Sequence, residues 1–72
     1  MIRYKHIELE WNMGSIHGLT NDAIKVAQTY DCKVTFPFNG IKITVDKYSD
    51  VDYISNKALG NVANQLGDIK WH

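Results

Sequence analysis

The chain has 72 residues, 44% of them hydrophobic, and eight basic residues balance eight acidic ones to give a formal net charge of zero. This length predicts one domain over residues 1–72 with a modest core, and the apolar content argues against wholesale disorder. The zero net charge argues against a general polyanion-binding protein, and it removes a repulsion that would keep copies of the chain apart.

Cysteine content and hydropathy bear on the location of the protein. The single cysteine, Cys32, can form neither an internal disulfide nor a cysteine-rich zinc site, and we expect it to be a small core residue. The charged N-terminus lacks the apolar run of a signal peptide, and no segment approaches the roughly 20 apolar residues of a membrane span. We therefore expect a cytoplasmic protein that does not engage membranes.

The first third of the chain predicts a strand, a loop and a helix. Alternation over residues 3–11 predicts a first strand with one solvated face. Two glycines in residues 12–18 predict a loop. Thr20 is the predicted N-cap of a helix over residues 21–30, because Asp22 follows in the first turn, where a negative charge suits the helix dipole.

Residues 33–46 predict a β-hairpin. Asn39-Gly40 separates two alternating runs, which is the signature of a two-residue type I′ turn. Folding the chain there places three apolar pairs on one face: Phe38 with Ile41, Phe36 with Ile43, and Val34 with Val45. The other face then carries Thr35, Pro37, Lys42 and Thr44. A slip of one residue would expose the apolar face, so the register is well specified.

Pro37 predicts the position of the hairpin in the sheet. The backbone of this residue points away from its hairpin partner, and proline has no N–H to donate on that side. The strand over residues 32–38 is therefore predicted to be a sheet edge, with residues 41–45 beside the first strand.

The last third of the chain predicts a second helix and a short strand. Helical spacing of apolar residues predicts a helix over residues 51–65, with Gly67 as its C-cap. Gly60 either weakens this helix or allows close packing on the sheet. Residues 68–72 alternate again and predict a short last strand.

The predicted fold is a two-layer α+β sandwich with the order βαββαβ. With right-handed crossovers, this order favours a ferredoxin-like fold, with two helices on one face of an antiparallel sheet. Without the last strand, the fold is βαββα. The expected core contains Ile7, Leu9, Trp11, Ile24, Ala27, Tyr30, Val34, Phe36, Phe38, Ile41, Ile43, Val45, Ile54, Leu59, Val62 and Leu66.

The element order and length resemble heavy-metal-associated domains, whose metal loop lies between the first strand and the first helix. That family carries two cysteines in this loop, whereas this chain has Met13 and His17 and no cysteine there. These two side chains alone are a poor set for a soft metal. The resemblance therefore implies the fold and neither a metal site nor a cofactor.

The stretch from His17 to the Asn-Gly turn also resembles the histidine phosphocarrier proteins of the sugar phosphotransferase system. It has a histidine before a helix, then Ala27 and Tyr30, then an Asn-Gly hairpin. The resemblance implies that His17 accepts a phosphoryl group. In that family Arg and Pro follow the histidine, whereas Gly18 and Leu19 follow it here. A His17 phosphocarrier is therefore the third hypothesis for function.

No constellation of residues predicts catalysis. Glu8 and Glu10 lie about 6–7 Å apart on one strand face, but no cleft or set of sugar-binding aromatics accompanies them. The three histidines fall on a strand, a loop and a terminus, without ligand spacing. We expect a protein that is not an enzyme and uses no cofactor.

The leading hypothesis is a small regulatory or inhibitory protein that binds another protein through a sheet edge or a helix surface, with homodimer formation as a second mode. Its composition is typical of accessory proteins encoded by viruses and mobile elements. The alternative is a single-stranded nucleic-acid-binding module that uses the open sheet face, although carboxylates there would repel phosphates. The candidate binding residues are Tyr4, Glu8, Glu10, Met13, His17, Pro37, Tyr48 and Tyr53.

Overall fold

A computed structural model describes residues 6–10 and 14–70. Within these ranges the elements are β1 (His6–Glu8), α1 (Ile16–Tyr30), β2 (Lys33–Phe38), β3 (Ile41–Val45), α2 (Val51–Asn64) and β4 (Ile69–Lys70). The prediction of a small α+β domain is confirmed, with a four-stranded sheet and two helices among the described residues. Residues 3–5, 11–13 and 71–72, which complete the predicted first strand, loop and tail, lie outside the described ranges.

The central hairpin forms in the predicted register. Phe36 lies opposite Ile43, and the neighbouring apolar pairs align as expected. Asn39 and Gly40 have φ angles of 46° and 86°, and two positive φ angles in succession are what a type I′ turn requires. Asparagine and glycine tolerate this region better than other residues, so the turn sequence itself sets the register.

The sheet has the order β1-β2-β3-β4, so β2 is an inner strand and the prediction of an edge position is wrong. β1 runs parallel to β2, with Glu8 opposite Thr35 as the last paired residues. Leu9 N then donates to Thr35 O at 2.8 Å. The next ladder bond would need an N–H from Pro37, which proline lacks. Pro37 therefore ends the pairing of β1 with β2, and does not exclude a neighbouring strand.

The sheet is mixed, so the antiparallel ferredoxin-like arrangement is not confirmed. β2 and β3 are antiparallel, but β4 pairs with β3 in parallel, as β1 does with β2. Side chains from both helices join one core on the same sheet face. Because the two parallel pairs run in opposite directions, crossovers over one face have opposite hands. One connection therefore departs from the right-handed rule on which the ferredoxin-like prediction depended.

Helix α1 begins five residues earlier than the sequence predicts. Ser15 is the N-cap, and its Oγ accepts a hydrogen bond from Gly18 N at 3.2 Å. Residues 16–18 are therefore helical and not part of a loop. Thr20, the predicted cap, is fully buried within the helix. The helix ends at Asp31, whose φ of 53° is left-handed.

Helix α2 ends one residue before its predicted end, and a different residue forms its C-terminal cap. Asp50 caps its start and accepts from Asp52 N at 2.9 Å. At the other end, Gln65 has a φ of 55° and takes the left-handed position that was expected of Gly67. Among the described residues, no atom lies within 4 Å of a Cβ placed on Gly60, so close packing on the sheet does not explain this glycine.

The core lies between the helices and the face of the sheet that carries Val34, Phe36 and Ile43. Three residues expected in the core are instead largely exposed: Tyr30 at 49%, Leu59 at 49% and Leu66 at 68%. In α2, the fully buried side chains are Ile54, Ser55 and Ala58, all in the first eight residues of the helix. The second half of α2 thus contributes little to the interior.

Candidate protein-binding surface

Three of the predicted binding residues converge where β1 leaves the sheet. Glu8, Glu10 and Pro37 line a surface cavity of about 460 Å³. Its other lining residues are Leu9, Thr35, Phe36 and Lys42. The cavity lies at the point where Pro37 ends the pairing between β1 and β2. The sequence predicted that these residues share a face, and the structure places them around one depression.

The charges at this cavity are largely compensated. Lys42 Nζ lies 3.3 Å from Glu8 Oε1, and the ion pair spans β2 from one neighbouring strand to the other. Both side chains are 62% exposed, so the pair contributes at most about 1 kcal/mol to stability. Glu10 adds a second carboxylate. The cavity therefore has a weakly acidic lining.

The threonine side chains on the same sheet face are less exposed to solvent than the sequence predicts. His6 Nε2 lies 2.7 Å from Thr35 Oγ1, which lies 2.8 Å from Thr44 Oγ1. Both threonines are buried, although no helix covers this face in the described part of the chain. Among its described residues the face presents His6 but neither Phe, Tyr nor Trp for base stacking. Tyr4, the aromatic residue expected there, lies outside the described ranges.

The first turns of the two helices meet at His17. Its Nε2 lies 3.7 Å from Asp52 Oδ1, and both side chains are more than half exposed. The N–H of Gly18, one of the donors that could hold a phosphoryl group, is already bonded to Ser15. Met13 lies outside the described residues. Within the described chain, no three His, Cys, Asp or Glu residues are arranged to hold a metal ion.

Tyr48 and Tyr53 are exposed and each lies near a lysine. Lys47 Nζ is 5.3 Å from the centre of the Tyr48 ring, and Lys57 Nζ is 5.9 Å from that of Tyr53. Tyr48 also lines a second cavity, of about 290 Å³, with half-buried Cys32 and other residues. The other lining residues are Asp31, Lys33, Asp46 and Lys47. Each tyrosine thus lies near a different lysine, and Tyr53 is not part of the cavity that Tyr48 lines.

Lys47 joins the end of α1 to the loop before α2. Its Nζ lies 2.6 Å from Asp31 Oδ1. The hydrogen bond and charge of Asp31, with a smaller contribution from Tyr48, raise the pKa of Lys47 above its ordinary value of 10.5. Lys47 and Asp31 thus form a surface ion pair between the end of α1 and the loop before α2.

The largest exposed aliphatic side chains of the described residues are Leu59, in the second half of α2, and Leu66, just beyond the end of this helix. We call the surface formed by Leu59, Val62, Ala63 and Leu66 the α2 apolar stripe. Leu59 and Leu66 are exposed, Ala63 is exposed, and Val62 is half-buried against the core. Exposed apolar side chains that lie together at the end of a helix, rather than scattered singly, are typical of interaction surfaces.

The C-terminal cap fixes the end of the stripe. Leu66 N donates to Asn61 O at 2.9 Å, and Asn61 Nδ2 donates to Gly67 O at 3.2 Å. The left-handed Gln65 between them turns the chain out of the helix. Leu66 is thus held beside the last helical turn, although it lies beyond Asn64. Because this segment is already ordered, the binding of a partner here would cost little conformational entropy.

The sequence also indicates that α2 has more apolar surface than the core needs, although the core prediction assigned Leu59, Val62 and Leu66 to the interior. At about 100° per residue, the apolar positions from Ile54 to Ala63 span roughly half of the helix circumference. A surface helix needs about 100° to cover a core, so the excess implies a second contact face. The stretch from Ala58 to Gly67 also carries no charged residue. Charge depletion on a helix that lies at the surface is typical of interfaces.

Comparison with known proteins adds no relative. No family model matches the chain, and searches of curated proteins and of solved structures find no match. Among the described residues, neither helix is both long and apolar enough to cross a membrane.

Proposed function

We propose that this chain is a small, non-enzymatic regulatory or inhibitory module that binds another protein through the α2 apolar stripe. The observation that carries the proposal is the exposure of Leu59, at 49%, in the second half of α2 and of Leu66, at 68%, just beyond the capped end of this helix. Burying a leucine side chain fully contributes about 1.5–3 kcal/mol, so two such residues can anchor a partner.

A helix surface fits this role better than a sheet edge does. The edge strands among the described residues are β1, with three residues, and β4, with two. Within residues 6–10 and 14–70, neither edge presents a long row of unpaired backbone groups for strand addition. β2, the edge expected from the sequence, is covered by strands on both sides.

The nucleic-acid alternative receives less support from the sheet face. Glu8 and Glu10 are positioned there to repel phosphates, and the positive charge of Lys42 is compensated by Glu8. A cytoplasmic location, inferred from the single unpaired cysteine, belongs to the same proposal.

A capture experiment with matched charge changes tests the proposal. The tagged chain, its Leu59→Glu variant and a Gln28→Glu control are used to capture proteins from a lysate of the cells that express the chain. Gln28 is exposed on α1, so the control introduces the same charge away from the stripe. We expect the unmodified chain and the control to retain the same stoichiometric protein, and Leu59→Glu to lose it. Equal retention by all three would contradict the proposal.

A further inference from the structure

The cavity where β1 leaves the sheet presents hydrogen-bond acceptors that the fold itself leaves unpaired. β1 and β2 separate after Leu9, because Pro37 has no N–H to continue the ladder. In a parallel ladder the missing bond would end on the carbonyl oxygen of Leu9, so this oxygen has no partner on β2. Glu10 is exposed and lines the same cavity, and its carboxylate forms no ion pair with another described residue.

The side-chain donors at the cavity are already engaged. Lys42 Nζ lies 3.3 Å from Glu8 Oε1, so these two charges compensate each other. The Thr35 hydroxyl lies 2.8 Å from that of Thr44 and is shared with it. A free carboxylate and a free backbone carbonyl therefore face any ligand, which must bring a positive charge and its own hydrogen-bond donors.

The rest of the lining is apolar. Leu9, Phe36 and Pro37 contribute to it, and the volume of about 460 Å³ falls within the range of roughly 300–1,000 Å³ that is typical of ligand pockets. A fitting ligand thus has an apolar stem and a cationic head with several donors. Arginine has both, since its methylene stem packs on apolar surfaces and its guanidinium group carries N–H donors in several directions. Arginine is also enriched at protein interfaces, where lysine is depleted.

We propose that this cavity binds an arginine side chain presented by a peptide segment of a partner protein. The guanidinium group pairs with the Glu10 carboxylate and donates to the carbonyl oxygen of Leu9, while the methylene stem packs on Pro37. The cavity shares no residue with the α2 apolar stripe, so this inference goes beyond the proposed function. Because the site is exposed, a single arginine should bind with a dissociation constant in the millimolar range. The site therefore adds sequence preference to an interaction and does not hold a partner alone.

A titration followed by nuclear magnetic resonance tests the site. The isotope-labelled chain is titrated with acetyl-arginine amide, with acetyl-lysine amide and with acetyl-citrulline amide, which keeps the shape of arginine without its charge. We expect saturable shifts of the backbone amides of Leu9, Glu10 and Thr35 with the arginine derivative. The lysine derivative should bind more weakly, and the citrulline derivative should not reach saturation.

Two variants should change the affinity in opposite directions. Glu10→Gln should raise the dissociation constant about two- to fivefold, because it removes the free carboxylate. Lys42→Ala should lower it, because it releases the carboxylate of Glu8. Asp22→Asn removes a negative charge from an exposed position on α1 and should leave it unchanged. All three substituted side chains are exposed, so unchanged signals away from each substitution are expected to show that the variants fold.

Several outcomes would overturn the inference. These are the absence of saturable shifts, saturable shifts that map to other residues, and equal binding of the citrulline derivative. A Glu10→Gln chain that binds as tightly as Asp22→Asn would also overturn it, as would a Lys42→Ala chain that binds more weakly than the unmodified one. Equal affinity for the lysine derivative would overturn the assignment of the ligand to arginine.

Discussion

Phe36 lies directly opposite Ile43 in the central hairpin, and both side chains are buried, at 3% and 0% exposure. Replacing Ile43 by Ala should lower the free energy of unfolding by about 2–5 kcal/mol, because it removes buried surface and leaves a cavity. A chain of this length has a total stability of only about 4–11 kcal/mol. Urea denaturation followed by circular dichroism measures the loss.

Lys42→Ala is the matched control for the hairpin, since Lys42 is the exposed neighbour on the opposite face. It loses only the surface pair with Glu8 and should cost less than about 1 kcal/mol. If Ile43→Ala were as stable as this control, the hairpin would not be the centre of the core.

Two buried hydroxyl groups predict variants that gain stability. Thr20 Oγ1 and Ser55 Oγ are fully buried, and neither has a hydrogen-bond partner among the described residues. An unpaired buried hydroxyl costs about 1–3 kcal/mol. Thr20→Val keeps the side-chain shape and should raise the free energy of unfolding by about 1 kcal/mol in the same denaturation experiment. A loss of more than about 1 kcal/mol would indicate that the hydroxyl is hydrogen-bonded.

Gly60 predicts a second stabilising change. It lies inside α2, it has an ordinary helical φ, and, apart from the backbone of its own helix and its chain neighbours, no described atom lies within 4 Å of a Cβ placed there. Gly60→Ala should therefore raise the free energy of unfolding by about 0.5–1 kcal/mol through helix propensity. The measurement is thermal and urea unfolding of the dilute chain, where self-association does not contribute. Gly67→Ala should be destabilising, because Gly67 has a φ of 90°, and it serves as the contrasting variant.

The Lys47–Asp31 contact predicts a pH dependence. In the folded state the pKa of Lys47 is raised above its ordinary value of 10.5. The contact therefore stabilises the folded state fully at a pH below the pKa of the lysine in the unfolded chain. This stabilisation is lost as the pH rises through the pKa of the lysine in the folded chain. The difference in urea midpoint between the unmodified chain and Lys47→Met should be constant from neutral pH to about pH 9 and shrink above the ordinary lysine value. Lys25→Met, an exposed position on α1, is the control. A difference that persisted unchanged at the highest pH would contradict the charged contact.

The parts of the fold that the sequence predicted are those set by local chemistry. The Asn39-Gly40 turn and the alternation on either side of it determine the hairpin register without information from distant residues. Both helices were also found, because their apolar spacing is local. The start of α1 was missed because Thr20 and Ser15 are both good cap residues, and the choice depends on Ile16, which packs into the core.

Strand order and the exposed stripe depended on long-range packing that the sequence leaves ambiguous. Pro37 excludes one ladder bond, and β1 satisfies that restriction by ending at Glu8 instead of avoiding β2. Leu59 and Leu66 have the periodicity of core residues in the sequence, although Leu66 lies beyond the end of α2 in the structure. Only the position of the helix against α1 and the sheet determines that Ile54 and Ala58 are buried and the leucines are not. Periodicity identifies an apolar face but not what covers it.

The most direct test of the account is photo-crosslinking at the α2 apolar stripe. A photoreactive amino acid is placed at Leu59 or, as the control, at exposed Gln28, and the chain is irradiated in the cells that express it. The account predicts one discrete crosslinked protein from position 59, either a second copy or another chain, and none from position 28. No product from position 59, or the same products from both positions, would contradict a docking role for the second half of α2.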